Sequence, residues 1–231
     1  MAVRMGLIKK KPEWTEEQFR TYWRETHGPL AARAPALRGY WQNPVTDRLQ
    51  RGIDFPRGPW AFDGFSQLWF DDQKKADHAF GQSELAGDLI ADENRFIGEL
   101  HIVTAEQQVV VPVPDDAARA TLLKRVSTLK RRPELSEDDF RREWKIHADH
   151  VQAMPGVAGY RQNVIIGRER VKGQPCAYEE LPIDGIVELW FENADTLNAA
   201  FSSAAGQRTM RHAATFIAEI TAFVVTEHRV V

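Results

Sequence analysis

Two histidines and two tyrosines occupy matching places in the chain and could carry proton-transfer chemistry. His27 precedes Tyr40 and His147 precedes Tyr160, with 120 residues between the two pairs. An imidazole exchanges protons near neutral pH, and a phenol can bind a carbonyl or enolate oxygen. We therefore take His27, Tyr40 and His147 as candidate catalytic residues and Tyr160 as a candidate substrate-binding residue. Each tyrosine could equally be a packing residue whose hydroxyl reaches water.

Other aromatic and imidazole side chains are candidates to line a pocket. The tryptophans recur in both halves, which favours a packing role, although one of them could contact an aromatic ligand. His147 and His150 would share a helical face and could bind a metal, but no third and fourth ligand has matching spacing, so no metal site is expected. Strand parity leaves the direction of His101 open. The further candidates for substrate contact are Trp23, Trp69, His101 and His150.

These candidates belong to a stretch of sequence that occurs twice. Residues 12–43 and 133–163 share a phenylalanine, a tryptophan, a histidine and a Gly-Tyr-x-Gln-Asn ending. The spacing is 121 residues between Trp23 and Trp144 but 120 from the histidines onward, because the second copy has one residue fewer after its tryptophan. A tandem duplication is predicted, with domains at residues 1–110 and 118–231.

The missing residue affects the direction in which each histidine points from its helix. His27 shares a helical face with Trp23, and Gly28 and Pro29 are expected to end or kink that helix. A helix turns by about 100° per residue, so the loss predicts that His147 either faces its pocket from a shorter helix or has moved off it. A position near a helix C-terminus favours an imidazolium and burial opposes it, and the sequence leaves that balance open for His27.

The elements predicted for each copy follow the order strand, helix, strand, strand, helix, strand. The first-copy strands are expected at 3–9, 40–45, 64–70 and 99–105, and the first strand of the second copy at 120–129. Thr15 begins the first helix with a capping box, and Asn43-Pro44 should end or bend the second strand. This order is a ferredoxin-like βαββαβ unit with one bare sheet face, which needs a partner. The predicted fold class is therefore α+β, with two ferredoxin-like domains forming an intramolecular dimeric α+β barrel.

Composition and charge exclude several classes of protein. The chain has 231 residues and a net charge of −3, which gives no long-range attraction to nucleic acid or an anionic membrane. A single cysteine, Cys176, excludes an intrachain disulfide and suggests a reducing compartment. No apolar run near the N-terminus is long enough for a signal peptide or a membrane span. We expect a cytoplasmic protein whose partner is a small-molecule substrate, and the sequence leaves a homo-oligomer open.

The motif Phe-x-x-x-Trp-x-x-x-His-Gly-Pro-Leu at residues 19–30, followed by Gly-Tyr-x-Gln-Asn at 39–43, resembles the EthD family of the dimeric α+β barrel superfamily. The second copy departs from it, since Ala-Asp-His follows His147. The resemblance implies that no metal or organic cofactor is needed, as is general for the superfamily's muconolactone and methylmuconolactone isomerases, polyketide cyclases and quinone-forming monooxygenases. It also implies that His27 and Tyr40 line a substrate pocket, as the matching residues do in the methylmuconolactone isomerase branch.

Residues and resemblance together predict a cofactor-independent enzyme of small-molecule catabolism that moves protons through a histidine. Its substrate would be aromatic, polyketide-like or a lactone, and the reaction an isomerisation, a cyclisation or a dehydration by a lyase. The pocket of each half would lie between sheet and helices, roofed by residues 46–62 or 168–183, and the first half should be the more active. A cofactor-free monooxygenase, a haem or small-ligand binding protein and an accessory protein are the alternatives.

Overall fold

The computed structural model describes residues 2–231, so Met1 of the predicted first domain lies outside the described residues. The elements of the first half are β1 (Ala2–Lys10), α1 (Glu16–Tyr22), a π-helical turn (Trp23–His27), α2 (Gly28–Ala31), β2 (Gly39–Asp47), β3 (Gly64–Phe70), α3 (Gln73–Gly81), α4 (Leu85–Phe96) and β4 (Ile97–Val111). Those of the second are α5 (Asp116–Arg119), β5 (Leu123–Arg131), α6 (Glu137–Gln152), β6 (Gly159–Val171), β7 (Gln174–Pro175), a 3₁₀ turn (Tyr178–Glu180), β8 (Gly185–Phe191), α7 (Ala194–Ser202), α8 (Ala204–Phe216), β9 (Ile217–Val225) and β10 (His228–Arg229).

Local sequence signals set most element ends. Thr15 begins α1 with a capping box, as expected, and Ser136 begins α6 in the same way. The helical region that follows β3 is interrupted just after Gly81.

Pro44 was expected to end or bend β2. It does not end the strand, which runs to Asp47, but pairing with β3 stops at Pro44 and pairing with β9 starts at Val45. The expected start of the first strand of the second half at residue 120 was wrong, because residues 120–122 form a turn after α5 and the strand begins at Leu123.

Eight strands form a closed ring. The antiparallel order β2-β3-β1-β4-β6-β8-β5-β9 returns to β2 through the pairing of Val45 with Val225. The long ladder between β4 and β6 makes the other junction between halves. Apolar side chains from both halves, among them Met5, Phe65 and Phe223, fill the ring. The two ferredoxin-like sheets therefore face each other inside one chain, which confirms the predicted α+β barrel.

Each half places its helices on the outer face of its sheet, and a tryptophan sets the spacing. Trp23 packs against Gly64 of β3, and Trp144 packs against Gly185 of β8. A Cβ atom at either glycine would overlap the indole ring. The glycine at the start of each of these strands is thus explained by the close approach of a helix to the sheet.

The extra residue of the first copy is accommodated in the π-helical turn. The N–H of Gly28 bonds to the carbonyl of Trp23, five residues back, whereas α6 runs as an uninterrupted helix of 16 residues. A π turn uses one residue more than an α turn, so the residues after it return to the same helical face. His147 therefore faces its pocket, as one of the two alternatives had it, but the shorter helix expected for it was wrong because α6 is continuous over 16 residues. No helix in residues 2–231 has the length and apolar character that crossing a bilayer requires.

Candidate functional site

The first-half cavity lies between the outer face of the sheet and the helices that cover it. His27 reaches it from the π turn, Trp23 from the start of that turn and Tyr40 from β2. Its volume is only about 40 Å³. Arg4, Phe80 and Lys172 also line a neighbouring groove of about 730 Å³, so the cavity is the inner end of a larger cleft.

His27 forms a buried pair with Asp92 of α4. The Nδ1 atom lies 2.8 Å from Oδ2 of Asp92, and the hydroxyl of Tyr22 donates to Oδ1 at 2.6 Å. Burial alone would raise the pKa of Asp92, but the hydrogen bonds from His27 and Tyr22 hold it below its ordinary value. The ionised carboxylate can only accept, so Nδ1 carries the proton and Nε2 is the nitrogen left to exchange one.

Tyr40 adds a hydroxyl to the same cavity. The side-chain amide of Gln42 donates to the Tyr40 oxygen at 3.0 Å and to the carbonyl of Trp23 at 2.6 Å. Burial raises the pKa of Tyr40, so the phenol keeps its proton at neutral pH. Because the oxygen accepts from Gln42, the O–H can donate to a substrate oxygen.

The second-half cavity repeats this arrangement with different chemistry. His147, Trp144 and Tyr160 line a cavity of about 50 Å³. His147 Nδ1 contacts Nδ1 of His212 at 3.1 Å, where the first half has a carboxylate. Burial, followed by the neighbouring His212 and His150, lowers the pKa of His147 to about 3. His147 is therefore neutral at physiological pH.

Three predicted site residues line neither cavity. Trp69 packs on the interior of the barrel, on the opposite face of β3 from the His27 cavity. His101 contacts Glu99 at 2.8 Å and packs near Trp60 at one end of the barrel. His150 stacks on His212 at 4.5 Å between ring centroids, beside the second cavity. The pairs that the structure does bring together are His27 with Tyr40 and His147 with Tyr160.

The long loops cross between the halves. Residues 46–62, the first loop, place Ile53 in the second-half cavity and hold it with a hydrogen bond from Gln50 to the carbonyl of Ile220. Residues 168–183, the second loop, place Lys172 over the first-half cavity, where it pairs with Glu93 at 2.6 Å. Each half thus supplies the cover for the other half's cavity.

Three functional candidates were missed in the sequence. Asp92 lies 65 residues after His27, and no local motif connects them. Arg4 and Arg125 both line a cavity and keep the 121-residue spacing of the tryptophans, so comparison of the first strands of the two copies could have found them. Within residues 2–231, no three or more His, Cys, Asp or Glu side chains are grouped as a metal site would need.

Comparison with known proteins identifies the repeated unit. The family model of the EthD domain matches residues 11–99 and again residues 132–220. An anthrone oxidase-like protein of known structure, 8% identical, matches 99% of this chain and 92% of its own with a TM-score of 0.64. A protein from Fusobacterium nucleatum subsp. nucleatum ATCC 25586, provisionally assigned as a monooxygenase, is 9% identical, matches 98% of this chain and 91% of its own, and has a TM-score of 0.60. No curated protein matches the sequence. At these identities the likeness shows the shared fold.

Proposed function

Because the chain belongs to the EthD family, we propose that it is a cofactor-independent enzyme that moves a proton on a small cyclic or aromatic metabolite, using His27 of its first half. The observation that carries the proposal is the buried pair of His27 and Asp92, with 2.8 Å between Nδ1 and Oδ2. Such a pair fixes the tautomer of the imidazole and leaves Nε2 to exchange a proton with a substrate. The second half has no carboxylate at the matching place.

The reaction follows from these groups. A substrate in the groove presents a C–H bond next to a carbonyl, and Nε2 of His27 takes the proton while Asp92 stabilises the imidazolium. The O–H of Tyr40 donates to the oxygen that gains negative charge. Return of the proton to another carbon completes an isomerisation, and its use to protonate a leaving hydroxyl completes a dehydration. The inner cavity must widen for a ring to enter, which we assign to separation of Lys172 from Glu93.

The test measures proton abstraction directly, so it does not need the natural substrate. Unsaturated lactones, cyclic 1,3-diketones and anthrone are incubated with the protein in D₂O, and deuterium incorporation is followed by NMR. His27→Gln should slow exchange of a responsive compound by about 10²–10⁴-fold, with Tyr40→Phe costing less. Asp92→Asn should slow it by about 10²-fold or more, because the imidazole loses its fixed tautomer.

The second half provides the matched control. His147→Gln removes the equivalent imidazole and should leave the exchange rate within about twofold, provided that the variant is folded. Exchange that survives in His27→Gln, or that is lost in His147→Gln alone, would assign the chemistry to other residues. The tautomer has its own readout, since ¹⁵N NMR should detect a proton on Nδ1 of His27 that becomes labile in Asp92→Asn.

A further inference from the structure

Arg125 is a buried cation without a counter-charge. It lies on β5 with 2% of its surface exposed and lines the second-half cavity. Among the described residues, no carboxylate lies within ion-pair distance of its guanidinium. A buried charge that lacks a partner destabilises the folded state. Its presence in a cavity wall therefore calls for an explanation other than stability.

The first half shows what a compensated version looks like. Arg4, the equivalent of Arg125, makes a two-pronged ion pair with Glu169 at 2.6 and 2.8 Å. The position that matches Glu169 in the first copy is Leu49, which is 62% exposed and contributes no charge. The two halves thus share the arginine and differ in the acid that neutralises it.

Arg125 remains able to bind an anion. Its Nε donates to Ser127 at 3.2 Å and its Nη1 to the backbone carbonyl of Arg51 at 2.7 Å. These bonds use two of the five N–H donors of a guanidinium. Burial lowers the pKa of Arg125 to about 9, so the group is still cationic at neutral pH.

Most of the remaining cavity wall is apolar, and the other polar side chains that line it, Ser127, His147, Tyr160 and Thr209, carry no negative charge. Next to the guanidinium stand the ring of Phe201, whose centroid is 4.9 Å away, and the first-loop residue Ile53. The further apolar side chains of the wall are Val151, Met154, Leu189 and Met210. One cation in an apolar enclosure selects a ligand with one negative charge and an apolar body.

We propose that the second-half cavity is a binding site for a small organic monoanion, an alkanoate or benzoate-type carboxylate. The carboxylate pairs with Arg125 and replaces the carbonyl of Arg51, and the apolar body lies against Phe201 and Met210. The first loop, which carries both Arg51 and Ile53, moves outward to admit it. This site is separate from the His27 cavity, so the inference does not rest on the proposed enzymatic function.

The test uses acetate, butanoate and hexanoate as probes and methionine methyl groups as reporters. Met154 and Met210 line the cavity, whereas Met5 is buried in the barrel and serves as the internal reference. In protein labelled with ¹³C at the methionine methyls, hexanoate should shift the signals of Met154 and Met210 and leave Met5 in place. Affinity should rise by about fourfold for each added CH₂ group that is buried. No shift at Met154 and Met210 with hexanoate up to about 10 mM would overturn the proposal.

Two independent experiments test whether binding depends on the charges of the ligand and of Arg125. Hexanamide, which has nearly the same shape and no charge, should bind the wild-type protein at least about tenfold more weakly than hexanoate. Arg125→Met should weaken hexanoate binding by at least the same factor, whereas the double variant Arg4→Met with Glu169→Gln, at the matching place in the first half, should not. Equal affinity for the acid and its amide would overturn the proposal, and this comparison remains decisive if Arg125→Met does not fold.

Discussion

Asp92 and His212 occupy equivalent positions in the two halves, each 65 residues after the histidine whose Nδ1 it contacts. The carboxylate of Asp92 stabilises a proton on His27, whereas His212 offers a second imidazole to His147. One substitution at a shared position therefore separates a histidine held in a fixed tautomer by a carboxylate from a histidine that contacts a second imidazole.

The neutral state of His147 predicts a pH-dependent stability. An unfolded histidine has a pKa of about 6.5, and in the folded protein burial, His212 and His150 lower that of His147 to about 3. Between these values the unfolded chain binds the additional proton. The free energy of unfolding should therefore fall as the pH falls from about 6.5 towards about 3, by up to about 1.4 kcal/mol per pH unit for this group. Urea denaturation at a series of pH values measures the slope.

Two variants locate the source of that slope. Two charged groups lie near His147, but neither contacts it in the way that Asp92 contacts His27. Glu143 is 3.6 Å from His212, and Arg125 lines the same cavity. His147→Gln removes the titrating group and should flatten the curve. His212→Asp should also flatten it, because a carboxylate at this position favours the imidazolium. A slope that is unchanged in both variants would show that other groups govern acid stability.

The π-helical turn predicts that one residue of the first copy is dispensable. Deleting Glu25, which is exposed within Trp23–His27, should convert the turn into α-helix in the register of α6. Thermal unfolding should then show a loss of no more than about 1 kcal/mol, since both flanking faces stay in place.

The matched deletion in the second half should behave differently. Lys145 is also exposed, but α6 has no extra residue, so its removal rotates Phe140 and Trp144 by about 100° relative to His147. The cost should exceed about 3 kcal/mol, because one face must leave the core. Similar losses for the two deletions would contradict the role given to the π turn.

The tryptophan–glycine contacts predict that substitution by alanine changes the stability of the protein in opposite directions at Gly64 and Gly87. Gly64→Ala places a methyl group in the ring of Trp23 and should destabilise the protein by about 1–3 kcal/mol. Gly87→Ala, inside α4 with no atom within 4 Å of the added carbon, should instead stabilise it by about 0.4–1 kcal/mol. Chemical denaturation of the two variants provides the comparison, and equal effects would contradict the packing argument.

The space immediately around His27 and His147 is too small for a haem, although the groove outside the first cavity measures about 730 Å³. Cavities of about 40 and 50 Å³ lie far below the roughly 300–1,000 Å³ of sites for drug-sized ligands. Added haem should therefore give only the spectrum of non-specifically bound haem, unchanged in His27→Ala and His147→Ala. A stoichiometric Soret band that is lost in either variant would revive the haem-carrier alternative.

The fold could be predicted from sequence because duplication, capping boxes and strand order all point to the same architecture. His147 lines its cavity, but the shorter helix predicted for it was wrong, since helical periodicity gives no sign that the other copy accommodates its extra residue in a π turn. Recurrence favoured a packing role for Trp69, which was still kept as a candidate for substrate contact because recurrence does not tell which face of a strand a side chain occupies. Asp92 is joined to His27 only by tertiary packing, and the free charge of Arg125 is visible only when the partner of Arg4 is known.

The crossing of the two loops has a consequence for how the sites can diverge. In a dimer of identical subunits, each substitution in a covering loop would alter both cavities at once. In this chain a change in residues 46–62 alters only the second cavity, and a change in residues 168–183 alters only the first. One such difference is already present, because Leu49 of the first loop stands at the position that matches Glu169 of the second loop. Joining the two copies in one chain therefore lets the loop that covers each cavity be mutated independently.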